Sequence, residues 1–213
     1  MLNISHYKII AIGKIKKRWI QEGIEMYLKR LPGLEVIEVK KNTKIKEEQS
    51  IKEILTEKNS YSILRTSWVV SSRRDNFLLK MLKLHSDRNS INVVADQYGA
   101  PTSAKYLAKA CWKLIELKKK KKIPFILHWS DYGTTSWYEL AVAIGDIAFD
   151  LGIIKKKAII NPIRSTEYPS KVKRPKYSVL NIQSSPNFLQ LKPNHWRNNL
   201  VEILKDFKEK SGN

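Results

Sequence analysis

The sequence predicts an α/β fold, because short β-rich runs alternate with amphipathic helical segments along most of the chain. Strands that alternate with helices usually pair in parallel, so we expect a largely parallel sheet covered by helices, preceded by a short βαβ unit. The length of 213 residues suits one ordinary α/β domain or two small ones. An apolar content of 42% with 28% charged residues is typical of a globular chain.

A βαβ unit is predicted in a first region, which we place at residues 1–58. The run YKIIAIG at 7–13 is short, apolar and closed by glycine, which indicates a buried strand. In RWIQEGIEMYLKRLPG, at 18–33, apolar residues recur at helical spacing before a Pro-Gly stop. The run LEVIEVK at 34–40 alternates like a second strand. Residues 40–60 are charged and weakly periodic, so an exposed helix and a linker both stay open.

A second region, which we place at residues 61–213, also alternates strands and helices. The predicted strands and extended runs are YSILRTSWVV (61–70), INVVAD (91–96), IPFILHWS (123–130) and AIINPI (158–163). The predicted helices are NFLLKMLKLHS (76–86), TSAKYLAKACWKLIELKKK (102–120), TTSWYELAVAIGDIAFDLG (134–152) and NHWRNNLVEILKDFKEK (194–210). The second of these helices begins with a Thr/Ser cap, and the third ends at Gly152.

The net charge of +20 is compatible with a nucleic-acid or acidic-lipid partner, because lysine and arginine displace the counterions of phosphates. We favour a solvated surface instead. The main basic runs, Lys118–Lys122 and Lys155–Lys157, stand at predicted helix ends or in turns, where cations suit the helix dipole. RNA therefore stays open as a partner but is not favoured.

Several function classes lack their signatures in this sequence. No apolar run approaches the roughly 18–20 residues that cross a bilayer, and no signal peptide is recognisable, so we expect a cytoplasmic protein without a membrane partner. The histidines show no H-E-x-x-H spacing and no serine stands in G-x-S-x-G, so neither a metal site nor a hydrolase nucleophile is expected. Cys111 stands at helical spacing and is expected to pack in the core.

Six strings between residues 61 and 213 point to one family: ILRTSWV, NFLLKMLKL, NVVADQYGAPTS, GTTSWYELA, NPIRSTEYPSKVKRP and HWRNNL. In this order they resemble the C-terminal part of dTDP-4-dehydrorhamnose reductases, which are extended short-chain dehydrogenases/reductases. The resemblance implies a partial, mostly parallel Rossmann-like sheet with a C-terminal substrate-binding subdomain. It also implies nucleotide-sugar (dTDP-rhamnose) biosynthesis, a dTDP-sugar as ligand and NADPH as cofactor, with Mg left open as a second cofactor.

The resemblance also implies a set of substrate-binding residues. Trp68 would lie against the sugar, where an indole offers a flat apolar wall. Arg174 would meet the diphosphate, since a guanidinium fork suits phosphate oxygens. The other residues that the resemblance places in the substrate cleft are Arg65, Gln97, Gly99, Pro101 and Thr102.

The catalytic and cofactor-binding motifs of such reductases are not found among these residues. Their glycine-rich turn lets the backbone approach the cofactor pyrophosphate, but no three of the eight glycines fit G-x-G-x-x-G or G-x-x-G-x-x-G. Their catalytic tyrosine has a lysine four residues on, which lowers the phenol pKa, but none of the nine tyrosines has that lysine. We therefore assign no catalytic and no cofactor-binding residue. This chain alone is expected not to transfer the NADPH hydride to the C4 ketone.

The first region has a resemblance of its own. Through G-K-x-K after the first strand and through EMYLKRLP, residues 1–58 resemble the start of the ribosomal RNA large-subunit methyltransferase H family. Those are knotted SPOUT enzymes that bind S-adenosylmethionine in a C-terminal half that is missing here. The sequence therefore predicts a junction of two truncated proteins, which either a gene fusion or a sequence-assembly error would produce, with an RNA-binding or methyltransferase-derived module as the alternative function. An incomplete parallel sheet leaves a hydrophobic edge, so a homo-oligomer is also possible.

Overall fold

The computed structural model describes only the backbone of residues 8–12, 35–39, 118 and 211, and both backbone and side chains of residues 62–117, 122–170 and 174–210. By internal contacts the chain forms two compact units, Met1–Tyr61 and Ser62–Asn213. The helix predicted within 18–33, the segment 40–60 and most of the lysine run that begins at Lys118 lie outside the described residues.

The first unit contains two strands, β1 (Lys8–Ile12) and β2 (Glu35–Val39). They pair in parallel, in a register that runs from Lys8 opposite Glu35 to Ile12 opposite Val39. Both strands fall within the apolar runs from which they were predicted. A parallel pair needs a long crossover connection, and the chain between the two strands is long enough for one.

The second unit alternates strands and helices, as predicted. Its strands are β3 (Ile63–Arg65), β4 (Val69–Val70), β5 (Ser90–Val94), β6 (Tyr98–Gly99), β7 (Thr102–Ser103), β8 (Ile126–His128), β9 (Thr135–Ser136) and β10 (Ile159–Ile163). Its described helices are α1 (Phe77–Asp87), α2 (Ala104–Lys118), α3 (Trp137–Asp150), α4 (Ser185–Leu189) and α5 (Trp196–Ser211). Parallel pairs join β3 to β8, β4 to β7 and β5 to β10, and an antiparallel pair joins β6 to β9. The mostly parallel α/β class is thus confirmed, although the described strands form separate pairs and not one continuous sheet.

Side-chain caps set the starts of two helices. Asn76 caps α1 by accepting the N–H groups of Leu78 and Leu79 through Oδ1. Ser136 and Glu139 form a capping box at α3, in which each side chain accepts the other residue's backbone N–H. The Ser136 N–H holds the pKa of Glu139 below its usual value.

Two apolar clusters form the core of the second unit. The larger one packs α1, α3 and α5 together, with Leu78, Ile144 and Leu204 fully buried. The smaller one lies under α2 and α4, around the fully buried Trp129. None of the described helices is long and apolar enough to cross a membrane.

Three sequence expectations are corrected. The single strand predicted over 61–70 is two short strands, because Trp68 has a φ of 46°, which a β-strand cannot accommodate. Cys111 is exposed, since α2 faces its apolar cluster with Leu107, Ala110, Leu114 and Leu117. The short helix α4 was not predicted.

Candidate functional site

Trp68 is held in place on two sides by other residues. Its indole stacks on that of Trp137, with ring centroids 3.6 Å apart and planes 11° apart. A Cβ atom on Gly99 would lie only 2.4 Å from Cε2 of Trp68, so glycine is needed for this close approach. The left-handed backbone at Trp68 is unusual for a bulky residue. The surrounding packing therefore imposes the position of the indole.

The segment Pro101–Ser103 runs beside Trp68 and is buried. Thr102 donates its backbone N–H to the carbonyl oxygen of Trp68 at 3.1 Å. Its hydroxyl donates to the carbonyl oxygen of Ser67 at 2.6 Å. Thr102 therefore supports the backbone that presents Trp68.

A cleft of about 620 Å³ opens at the carboxyl ends of β5 and β10. Its lining residues are Ala95, Asp96, Tyr98, Pro162, Ile163, Arg164, Glu167, Lys176 and Tyr177. The chain around Lys176 reaches this cleft by pairing with β6, since the Tyr98 N–H donates to the Lys176 carbonyl at 2.7 Å. Two tyrosine rings, those of Tyr98 and Tyr177, are exposed there.

Charges of both signs line this cleft. Asp96 accepts the N–H and the hydroxyl of Ser165, at 2.8 and 2.9 Å. Burial acts to raise the pKa of Asp96, but the bonds from Ser165 and the charge of Lys176 outweigh it, so that this pKa lies below its usual value. The Glu167 carboxylate accepts the Arg164 N–H at 2.7 Å. Both acids are therefore engaged by neighbouring N–H groups, alongside the cations of Arg164 and Lys176.

The structure brings Trp68, Gly99, Pro101 and Thr102 together, but none of these lines the cleft. Successive residues of a strand point to opposite faces, so Tyr98 faces the cleft while Gly99 faces Trp68.

The other three predicted residues are dispersed around this arrangement. Arg65 is exposed at the end of β3, and its carbonyl oxygen accepts the backbone N–H of Trp129 at 2.8 Å. Gln97 is half-buried between two residues of the cleft, and Arg174 is exposed two residues before Lys176. The substrate roles of all seven residues stay predictions.

Sequence reasoning missed the charged and aromatic residues that line the cleft. Two of the strings behind the family resemblance, NVVADQYGAPTS and NPIRSTEYPSKVKRP, contain most of them. Each string lies at the end of one strand, and these two strands, β5 and β10, form a parallel pair. This shared position at strand ends could have indicated that the two strings lie close together.

Asp131 was also missed as a functional candidate, because it reads as an ordinary turn residue. It is 2% exposed, and its Oδ2 accepts the Ser103 N–H at 3.0 Å. Burial raises the pKa of Asp131 to about 6, against opposing contributions from the Asn199 side chain and the Ser103 N–H. Such a shift is unusual for a residue whose role is only to shape a turn.

Three of the four glycines described in the second unit lie directly against protein side chains. A Cβ atom would meet Trp68 at Gly99, His195 at Gly133 and His85 at Gly145, at 2.4–2.5 Å in each case. At Gly152 it would meet the Lys208 ammonium at 3.9 Å. The described ranges also hold no group of three or more His, Cys, Asp or Glu side chains that could bind a metal ion.

Comparison with known families identifies most of the chain. A family model described as the RmlD substrate binding domain matches residues 36–209. The spore coat polysaccharide biosynthesis protein SpsK of Bacillus subtilis is 40% identical over 152 residues, which are 71% of this chain and 49% of SpsK. The crystal structure of dTDP-4-dehydrorhamnose reductase from Bacillus anthracis, in complex with NADP, superposes with a TM-score of 0.62 at 30% identity. This match covers 76% of the present chain and 53% of the reductase.

A second similarity is to a methyltransferase. Ribosomal RNA large subunit methyltransferase H of Prochlorococcus marinus (strain NATL2A) is 52% identical over 114 residues, or 54% of this chain and 76% of the methyltransferase. This match is longer than residues 1–58 and overlaps the first family, since only residues 1–35 and 210–213 lie outside the latter. By contrast, the chain spans about half the length of SpsK and of the reductase. The chain therefore belongs to the RmlD substrate-binding domain family over residues 36–209, and its N-terminal part belongs to the ribosomal RNA large subunit methyltransferase H family.

Proposed function

We propose that the second unit binds a dTDP-linked 6-deoxysugar, in or beside the cleft at the carboxyl ends of β5 and β10. The observation that carries this proposal is the cleft itself. Its volume of about 620 Å³ is within the usual range for small-molecule sites. In open α/β sheets, ligands bind at the carboxyl ends of the strands. Membership of the RmlD substrate-binding family supports the same class of ligand.

The lining of the cleft suits a nucleoside diphosphate. Lys176 and Arg164 supply cations for phosphate oxygens, and the exposed Arg174 stands two residues from Lys176. Tyr98 and Tyr177 offer exposed rings for a base or a sugar face. Trp68 acts from the other side of β6, and we propose that it fixes the position of that strand as one wall of the site.

We further propose that this chain does not reduce the sugar by itself. Reduction needs hydride from NADPH, together with an acid that protonates the new hydroxyl. The sequence has no Tyr-x-x-x-Lys to supply that acid, and no glycine-rich turn. Side chains occupy the space beside Gly99, Gly133 and Gly145, so these glycines leave no room for an NADPH pyrophosphate. We therefore assign no step of hydride transfer to these residues.

Calorimetric titration of the full chain tests both parts of the proposal. We expect saturable binding of dTDP-rhamnose and dTDP, and no binding of NADPH. Lys176→Gln is expected to weaken the binding of dTDP at least about tenfold, because it removes a cation that would contact the phosphates. The matched control is Lys192→Gln, an exposed lysine outside the cleft, which should bind like wild type.

Each outcome of this titration has a definite meaning. Saturable NADPH binding would overturn the glycine argument and make the chain a candidate reductase again. Equal loss of dTDP affinity in both lysine variants would mean that net charge, and not the cleft, accounts for the binding. If neither dTDP compound binds, the ligand proposal is wrong.

RNA binding is a second candidate, because of the 52% identity to a ribosomal RNA methyltransferase. It would depend on the basic surface of the chain, whose net charge is +20. Binding to phosphates weakens steeply with salt, so the affinity for a ribosomal RNA fragment should fall with a slope of several on a log–log plot. Undetectable RNA binding at low salt would eliminate this candidate.

A further inference from the structure

A buried acid, Asp131, brackets the segment Pro101–Ser103 at both ends. Its backbone N–H donates to the Pro101 carbonyl oxygen at 3.3 Å. Its side-chain Oδ2 accepts the Ser103 N–H at 3.0 Å. Ser103 directly precedes the first residue of α2, so the carboxylate lies at the positive end of that helix dipole.

The bracketed segment is linked to Trp68. Thr102, in the middle of the segment, donates its N–H and its hydroxyl to the carbonyl oxygens of Trp68 and Ser67. The Ser67 hydroxyl in turn donates to the Ala100 carbonyl at 3.0 Å. A displacement of this segment would therefore also displace the Trp68 backbone, and with it the stack on Trp137.

The surroundings of Asp131 are incompletely satisfied. In the described part of the chain, Oδ1 of Asp131 and Nδ2 of Asn199 are both buried without a hydrogen bond of normal geometry, although the Asn199 side chain still acts to lower the pKa of Asp131. The Asn199 Oδ1 accepts a hydrogen bond from the Asn194 side-chain amide at 3.2 Å, so the Asn199 N–H groups point away from Asn194. A buried charge without its full set of hydrogen bonds costs free energy, so this site disfavours the ionised form of Asp131.

Other titratable groups stand on the elements packed around Asp131. On α2 they are Lys105 and Tyr106, and on α5 the nearest is Glu202, which bonds to both of them. Tyr132 and His195 form an isolated parallel β-bridge through their backbones in the adjoining loops. Among these, the negative charge of Glu202 disfavours a charge on Asp131.

We propose that Asp131 is a positioning residue whose buried carboxyl group holds the Pro101–Ser103 segment and, through Thr102, the indole of Trp68. Because burial raises the pKa of Asp131, the bracketed arrangement binds the proton more tightly than a released one would, so ionisation loosens the segment as the pH rises. With burial raising the pKa of Asp131 to about 6, the segment is held below that pH and loosened as the pH approaches neutrality. The inference concerns the ligand-free protein and stands independently of the proposed function.

The test is a pH titration of the full chain labelled with ¹⁵N-tryptophan and ¹³C-aspartate, followed by NMR. The indole N–H signal of Trp68, assigned through Trp68→Phe, is expected to shift with a midpoint of about 6. The Asp131 carboxyl signal should share that midpoint. In Asp131→Asn, which keeps an acceptor for the Ser103 N–H, the Trp68 signal should stay constant.

Two controls separate this coupling from general acid effects. The exposed Trp112 should not follow the titration. His195→Gln should leave the Trp68 midpoint unchanged, which excludes that histidine as the source. A Trp68 signal that is flat in wild type, or that titrates equally in Asp131→Asn, would overturn the proposal. If Asp131→Asn does not fold, different midpoints for Asp131 and Trp68 in wild type would overturn it as well.

Discussion

The substitution Asp131→Asn measures how much free energy the burial of this acid costs. Burial raises the pKa of Asp131 from 3.8 to about 6, against the opposing Asn199 and Ser103 contributions. A pKa difference of roughly two, at about 1.4 kcal/mol for each pKa unit, corresponds to about 3 kcal/mol of unfolding free energy. The folded chain binds this proton more tightly than the unfolded chain. Its free energy of unfolding therefore falls as the pH rises from 3.8 to about 6, and stays lower above that.

Asparagine cannot ionise, so the free energy of unfolding of Asp131→Asn does not fall in this way as the pH rises. We expect Asp131→Asn to gain most of the about 3 kcal/mol relative to wild type when the pH is raised from about 4 to about 7.5. Urea unfolding of the full chain at both pH values, followed by circular dichroism, measures the difference. Comparing the change between two pH values cancels the effects of the substitution that do not depend on pH.

Asp206→Asn is the matched control, with the opposite sign. Bonds from Lys210 and Ser72 hold the pKa of Asp206 below its usual value, so its contribution to stability is present at neutral pH and lost on acidification. This variant should therefore lose stability relative to wild type as the pH rises. An Asp131→Asn effect that is equal at both pH values would refute the burial reasoning, because the acid would then titrate alike in the folded and unfolded chain.

Three further predictions concern stability at neutral pH, measured by the same urea unfolding. Gly99→Ala should lower the free energy of unfolding by about 1–3 kcal/mol, because its Cβ would overlap Trp68. The added change Trp68→Leu should recover part of that loss, and additive effects of the two changes would contradict this contact. Ser136→Ala should cost about 1 kcal/mol as it removes one half of a capping box, whereas Ser184→Ala, at a helix start without a side-chain cap bond, should cost little. Equal costs would mean that capping is not the cause. Leu204→Ala should cost about 2–5 kcal/mol, because Leu204 is fully buried between helices, and a loss below about 1 kcal/mol would place it outside the core.

Local sequence signals predicted the described helices of three turns or more, because their caps and periodic apolar faces act over a few residues. Asn76 and the Ser136–Glu139 pair are visible as helix starts in the sequence alone. The strings that carried the family resemblance also contain most residues of the cleft, although their roles were not assigned. The break at Trp68 could not be predicted in this way, since nothing within 61–70 signals a left-handed backbone.

The sequence by itself determined the alternation of strands and helices, the family resemblance of the second region and the lack of both reductase motifs. These properties depend on residue order and spacing alone. Only the tertiary structure decided that Trp68 lies between Trp137 and Gly99, on the face of β6 opposite the cleft. It alone decided that Asp131 is buried, because burial depends on α2 and α5, whose contacting residues are many positions away in the chain. Packing between distant segments sets the environment of a side chain, and that environment determines its pKa and its role.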